Sequence, residues 1–164
     1  MKCVLRRNTS LGLTLAVMAS ACASLYPANI SPAWQAFKAF ESEIERSAAE
    51  IPYENHLSDL WVQRLESADA SERDQLLGVA TYPGWLERVH NRLESTHSDQ
   101  VCLTVNGFAA SGSPGTLAVR YVEESGRLKA EEIHYQYWES EEDFPASPKC
   151  PDAFVLSFPD ESSF

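Results

Sequence analysis

Three runs of alternating apolar residues, Val101 to Phe108, Leu117 to Val122 and Leu128 to Trp138, leave this chain few ways to fold. A period of two puts Val101, Leu103 and Val105 on one side of a strand and Cys102, Thr104 and Asn106 on the other, the pattern of a half-buried β-strand. Ser111-Gly112-Ser113-Pro114-Gly115 is too rich in turn formers to continue a ladder. Leu117, Val119 and Tyr121 restart the alternation, and Glu124-Ser125-Gly126, whose Gly is free to take positive φ, suits a tight hairpin. In the third run the phase slips: Leu128 and Ala130 are even-numbered, whereas Ile133, Tyr135 and Tyr137 are odd. A β-bulge near Glu131-Glu132 would return these side chains to one face. The expectation is an antiparallel meander with one bulged strand.

Helical spacing dominates the residues before it. Ser31 offers a cap ahead of Pro32, and Trp34, Phe37, Phe40, Ile44 and Ala48 then form an apolar stripe that ends at Ile51-Pro52. Glu41, Glu43, Glu45 and Arg46 belong to the wet face of that helix. A second helix is expected from Asn55 to Leu65, with Leu57, Leu60, Trp61 and Leu65 on one side, and a third begins at Ser71, where Glu72 meets the helix dipole. Trp85, Leu86, Val89 and Leu93 predict a fourth helix, ending around Thr96. After Trp138 the acidic run Glu139 to Asp143 and three prolines, Pro145, Pro148 and Pro151, exclude helix and central strand. Phe154, Leu156 and Phe158 alternate, which predicts a last strand over Ala153 to Phe158. The fold class expected is α+β: N-terminal helices packed on a curved antiparallel β-sheet of about four strands, one domain spanning residues 31–164.

Residues 1–21 have a basic start (Lys2, Arg6, Arg7), an apolar centre from Leu11 to Ala19 and small residues after it, the three-part form of a secretory signal. Its apolar part is too short to span a bilayer stably. Ala19-Ser20-Ala21 before Cys22 resembles the bacterial lipoprotein box, in which the cysteine is lipidated and becomes the first mature residue. That resemblance implies a membrane anchor on Cys22, and Ala23 in place of Asp after the cysteine implies the outer membrane. Plain cleavage after Ala21 or Ala23 is the competing route, and residues 22–30 read as a tether either way.

The four cysteines follow from the same reading. Cys3 leaves with the signal and lipidation consumes Cys22, so Cys102 and Cys150 remain as an even pair, expected to form a disulfide in an oxidising periplasm. Removing the signal takes three of 13 basic residues and none of the 24 acids, moving the formal charge from -11 to -14. Such a surface repels nucleic acid, and contact with anionic lipid then needs an anchor.

Catalytic signatures are missing from the sequence. There is no G-x-S-x-G elbow, no H-E-x-x-H and no phosphate-cradling glycine loop. No cofactor and no metal site is expected. His90 and Glu94 stand four apart on the expected fourth helix, where imidazole and carboxylate would point the same way, yet two ligands make half a site. His134 with Tyr135 or Tyr137 is the other candidate, an imidazole base and a phenol donor on a curved sheet. His134 and Tyr135 nevertheless alternate, so only a bulge would bring them to one pocket. Glu131-Glu132 reads as paired carboxylates or as a solvated pair.

The strand Ala118-Val119-Arg120-Tyr121-Val122-Glu123-Glu124, turning at Gly126 into Arg127-Leu128-Lys129-Ala130, resembles the end of nuclear transport factor two-like domains. That resemblance implies a cone of curved sheet closed by helices, with a pocket for small-molecule binding, for isomerase or dehydratase chemistry or for protein contacts. The tail clasped by Cys150 departs from the family's pattern. The functional expectation is an exported, lipid-anchored envelope protein of Gram-negative type that binds a protein or small molecule without catalysis. A cone-fold enzyme using His134 is the alternative, and an inhibitor of a basic secreted enzyme is a third.

Overall fold

The computed structural model describes residues 31–46, 51–98 and 100–154. Helix α1 (Pro32–Arg46) is followed by a 3-10 turn (Tyr53–Asn55), α2 (Asp59–Ser67), α3 (Ala70–Ala80) and a second 3-10 turn (Tyr82–Trp85). Four strands come next: β1 (Arg88–His97), β2 (Gln100–Phe108), β3 (Pro114–Glu124) and β4 (Arg127–Tyr137). They form an open antiparallel sheet in the order β1-β2-β3-β4. The fold is α+β, as the patterning requires.

Local chemistry accounts for most of the elements. Ser58 caps α2 by accepting from Trp61 N, and Asp69 caps α3 by accepting from Glu72 N at 2.9 Å. At the β3–β4 hairpin Ser125 (φ 54°) and Gly126 (φ 74°) both take positive φ, as a two-residue primed turn demands. The bulge expected near Glu131-Glu132 is present: Arg120 pairs with Glu132 and Tyr121 with Ala130, which leaves Glu131 without a partner in the ladder. Its carbonyl accepts instead from Trp61 Nε1 at 2.8 Å, tying α2 to the bulge.

Because of that bulge Ala130, Ile133 and Tyr135 meet the helices together with Leu103, Val105, Leu117, Val119 and Tyr121. Phe37 and Phe40 of α1 and Tyr82 fill the other half of this core. Each is at most 1% exposed, and burying a ring of that size contributes roughly 1.5–3 kcal/mol. Tyr82 and Tyr121 bring hydroxyls into the core, and these hydrogen-bond to each other at 2.9 Å.

The other face of the sheet carries small polar side chains beneath the tail. Trp138 Nε1 donates to Thr116 Oγ1 (2.8 Å), and Thr116 Oγ1 donates to Asn106 Oδ1 (2.6 Å). Asn106 Nδ2 donates to Asn91 Oδ1 (2.8 Å) and to the Pro145 carbonyl (3.1 Å). Thr104, Asn106 and Thr116 are fully buried, and their pairing is what makes that burial tolerable. Beside them Cys102 and Cys150 form a disulfide, so the proline-rich segment lies across the sheet as a strap.

Several expectations are corrected. Residues expected to form a fourth helix form strand β1, pairing with β2 from Arg88↔Phe108 to His97↔Gln100. Strand β2 is apolar on its helix-facing side and has a second edge to satisfy, and ladder bonds there outweigh the local helical spacing. A bulge between Val89 and Asn91 adds to the disguise by breaking the period of two. The second helix begins at Asp59, after Asn55 has ended a 3-10 turn, and Leu60 is 67% exposed while Leu57 is buried in a bridge to Ala130. Ala153 and Phe154 belong to a 3-10 turn (Pro151–Phe154), not to the start of a strand. The rest of the expected last strand lies outside the described residues, as do Ala48, the leader and Cys22.

Candidate binding site

The structure separates most of the side chains proposed for chemistry. His134 lies on the strap side of the sheet, stacked on Phe154 at 5.1 Å, with Nε2 buried and without a partner among the described residues. Tyr135 lies on the helix side and meets Trp85 edge-on, with ring centroids 5.3 Å apart. His90 and Glu94 are likewise parted. His90, in the β1 bulge, faces Phe108 and Phe144, while Glu94 accepts a hydrogen bond from Ser31. Glu131 and Glu132 both pair with Arg120, at 3.1 and 2.5 Å. Among the described residues no cluster of three His, Cys, Asp or Glu side chains is arranged to hold a metal ion.

Two concavities stand out. The first, about 450 Å³, lies between α1, the Tyr53–Asn55 turn and the β3–β4 hairpin, and is lined in part by Glu43, Asn55, His56 and Arg127. Its polar groups are engaged with one another. His56 Nε2 donates to Glu43 Oε2 at 2.9 Å, and Arg127 Nη1 donates to Asn55 Oδ1 at 2.9 Å. Phe40 stacks on the His56 ring at 4.4 Å, which fixes the imidazole further. These bonds join helix, turn and hairpin, which is the work of a brace.

The second concavity has a different character. It encloses about 430 Å³ between the Tyr82–Trp85 turn, the loop after β2 and the end of β4, and is lined by Gly84, Trp85, Ala109, Ala110, Ser111, Tyr135 and Tyr137. None of these side chains carries a formal charge. Trp85 is oriented by its indole N–H, which donates to the Gly78 carbonyl at 3.1 Å. Tyr135 and Tyr137, two apart on β4, share a face and meet edge-on at 4.7 Å. Tyr137 is 61% exposed, an aromatic ring offered to solvent. Gly115 sits against Tyr135, where a Cβ would overlap the phenol, so the ring's position depends on that glycine.

The Tyr135 hydroxyl is buried and has no hydrogen-bond partner among the described residues. Burial, and Tyr137 beside it, lift this phenol above the ordinary tyrosine pKa, so it stays a neutral donor at physiological pH. A volume of this size with an aromatic, uncharged wall suits a small uncharged ligand.

Sequence reasoning selected Tyr135 and Tyr137 but missed Trp85 and the Ala109–Ser111 segment. Trp85 was readable as a large ring after Pro83-Gly84, the first inward residue of the expected fourth helix. Nothing local says that it meets β4. The chain matches no family model, no curated protein and no solved structure.

Proposed function

We propose that this chain is an exported, lipid-anchored envelope protein of Gram-negative type that binds a ligand without transforming it, in the groove of Trp85, Tyr135 and Tyr137. The observation that carries the binding role is the groove itself: aromatic, uncharged along its lining, and with no carboxylate or imidazole among the residues that line it. An enzyme built on His134 would need that imidazole to share a cavity with Tyr135 or Tyr137, and the sheet stands between them. The envelope address rests on the leader, on Cys22 and on the pairing of Cys102 with Cys150, a bond suited to an oxidising compartment.

One preparation tests both halves. The full chain is expressed in a Gram-negative host and the mature protein is extracted from membranes. Intact mass should show a diacylglyceryl adduct on Cys22 and the loss of two hydrogens for the internal bridge. A retained leader with two free thiols would end the envelope reading. Nile red, a neutral apolar dye, should brighten on the mature protein and much less on a Trp85→Ala variant. Equal brightening would remove the groove as the binding site.

A further inference from the structure

We propose that the Cys102–Cys150 bridge is a redox latch: a dithiol that reduces it frees the strap, residues 139–154, from the sheet while the helices and the sheet stay folded. The first reason is where the strap's contacts lie. The apolar core is built from the helices and the helix-facing side of the sheet, and none of its buried residues comes from the strap. Within residues 139–154 only Pro151 is buried. Among the described residues the strap joins no ladder, since the sheet runs β1-β2-β3-β4 and no further. It is held instead by side chains bonded to its backbone: Thr104 to Lys149 twice, and Asn106 to the Pro145 carbonyl. Phe144 against Phe108 and Phe154 against His134 add ring contacts toward its two ends.

The second reason is the face beneath. Thr104, Asn106 and Thr116 are fully buried there, yet one polar, solvated face is ordinary for an antiparallel sheet. The bonds from Thr116 to Asn106 and from Asn106 to Asn91 are internal to the sheet and survive without the strap. Thr104 exchanges the Lys149 backbone for water, a nearly even trade. Trp138 stays behind, tied to Thr116 and to the Pro114 carbonyl, which puts the hinge just after it. The third reason is that the closed strap works against itself. Phe154 stacks on His134, whose Nε2 is buried with no partner among the described residues. An unpaired buried polar atom disfavours the closed form, and lifting the strap hydrates it. The bridge therefore holds shut a contact that is biased to open.

Cys102 is 1% exposed and Cys150 is only partly buried, so a reductant reaches the bridge from the strap side. One thiolate of the dithiol attacks Cys150 Sγ, the S–S bond breaks, and Cys102 leaves as a thiolate that takes a proton. The second thiol displaces Cys150 from the mixed disulfide. The protein gains two electrons and two protons, and the dithiol is oxidised to its own disulfide.

The test uses the mature full-length protein, dithiothreitol as the dithiol and trypsin as the probe of the Lys149–Cys150 peptide bond. Once thiol counting shows two new free thiols, cleavage there should run roughly tenfold or more faster than in the bridged protein, with the β3 amides still protected from hydrogen exchange. Reoxidation should restore the slow rate, and Cys150→Ala should be cut fast without any dithiol. His134→Phe removes the unpaired nitrogen and should slow the cut in the reduced protein about fivefold. An unchanged rate at Lys149 after confirmed reduction overturns the latch. Exchange in β3 that rises together with the cleavage also overturns it, because the whole fold is then opening. A His134→Phe rate equal to the parent's removes the bias and with it the switch.

Discussion

Thr104 and Lys149 hydrogen-bond to each other in both directions: the Thr104 hydroxyl donates to the Lys149 carbonyl at 2.9 Å and accepts from the Lys149 N–H at 2.7 Å. A fully buried side chain thus stands in for a neighbouring strand and satisfies the backbone of the strap. Two positions before Thr104 and one after Lys149, Cys102 and Cys150 fix the same registration covalently. The strap is held by a bond and a hydrogen-bonded pair acting at one place.

Replacing both cysteines, Cys102→Ala with Cys150→Ala, should therefore destabilise the fold. The bridge closes a sequence separation of 48 residues, and the chain-entropy estimate for such a loop is about 4 kcal/mol. Urea denaturation measures the loss. Hydrogen exchange should show faster opening at Lys149 N–H than in the bridged protein, since its bond to Thr104 then loses the covalent tie beside it.

Tyr82 and Tyr121 form an isolated polar contact in an apolar core, and burial raises both phenols well above their ordinary pKa. Tyr82→Phe or Tyr121→Phe alone strands the other hydroxyl, at a cost of about 1–3 kcal/mol. The double substitution should cost less than the sum of the two, because no buried hydroxyl is left over. A double-mutant cycle by urea denaturation reads the coupling directly.

Lys129, whose side chain is 9% exposed, bonds Asp59 at 2.7 Å and Glu124 at 3.1 Å. The hydrogen bond to Lys129 leads the causes that lower the Asp59 pKa below 3.8, and the bond to Asp59 leads those that raise Lys129 above 10.5. The depressed Asp59 contributes stability present above pH 3.8 and lost as the pH falls through its folded value. The raised Lys129 contributes stability present below pH 10.5 and lost as the pH rises through its folded value. The stability difference between the parent and Asp59→Asn should form a plateau at neutral pH and shrink at both ends. A difference that is flat across the acid limb would show that the pair contributes nothing.

Gly115→Ala places a methyl group where the Tyr135 phenol lies, so the ring or strand β3 must shift. Overpacking of this kind costs roughly 1–3 kcal/mol, and the same variant should lose Nile red binding as the groove's wall moves. Gly78→Ala is the control: it lies outside the lining with nothing within 4 Å of an added Cβ, and neither readout should fall below the parent's.

Residues 100–137 declared their own structure because strand patterning is local: a period of two, two turn-rich breaks and a phase slip are all readable without a partner, and the slip at Glu131 became the bulge. The helix stripe of Trp34, Phe37 and Phe40 and the pairing of Cys102 with Cys150 were readable for similar reasons. Tertiary structure alone decided β1. An edge strand buries little, so Arg88 to His97 needs no apolar alternation, and its ladder to β2 is a property of the neighbour. It also decided which face the strap covers; that His134 and Tyr135 lie on opposite faces was already legible in their alternation. The groove was invisible for the same cause: its walls come from residues 84–85, 109–111 and 135–137, segments that meet only when the sheet closes against the helices.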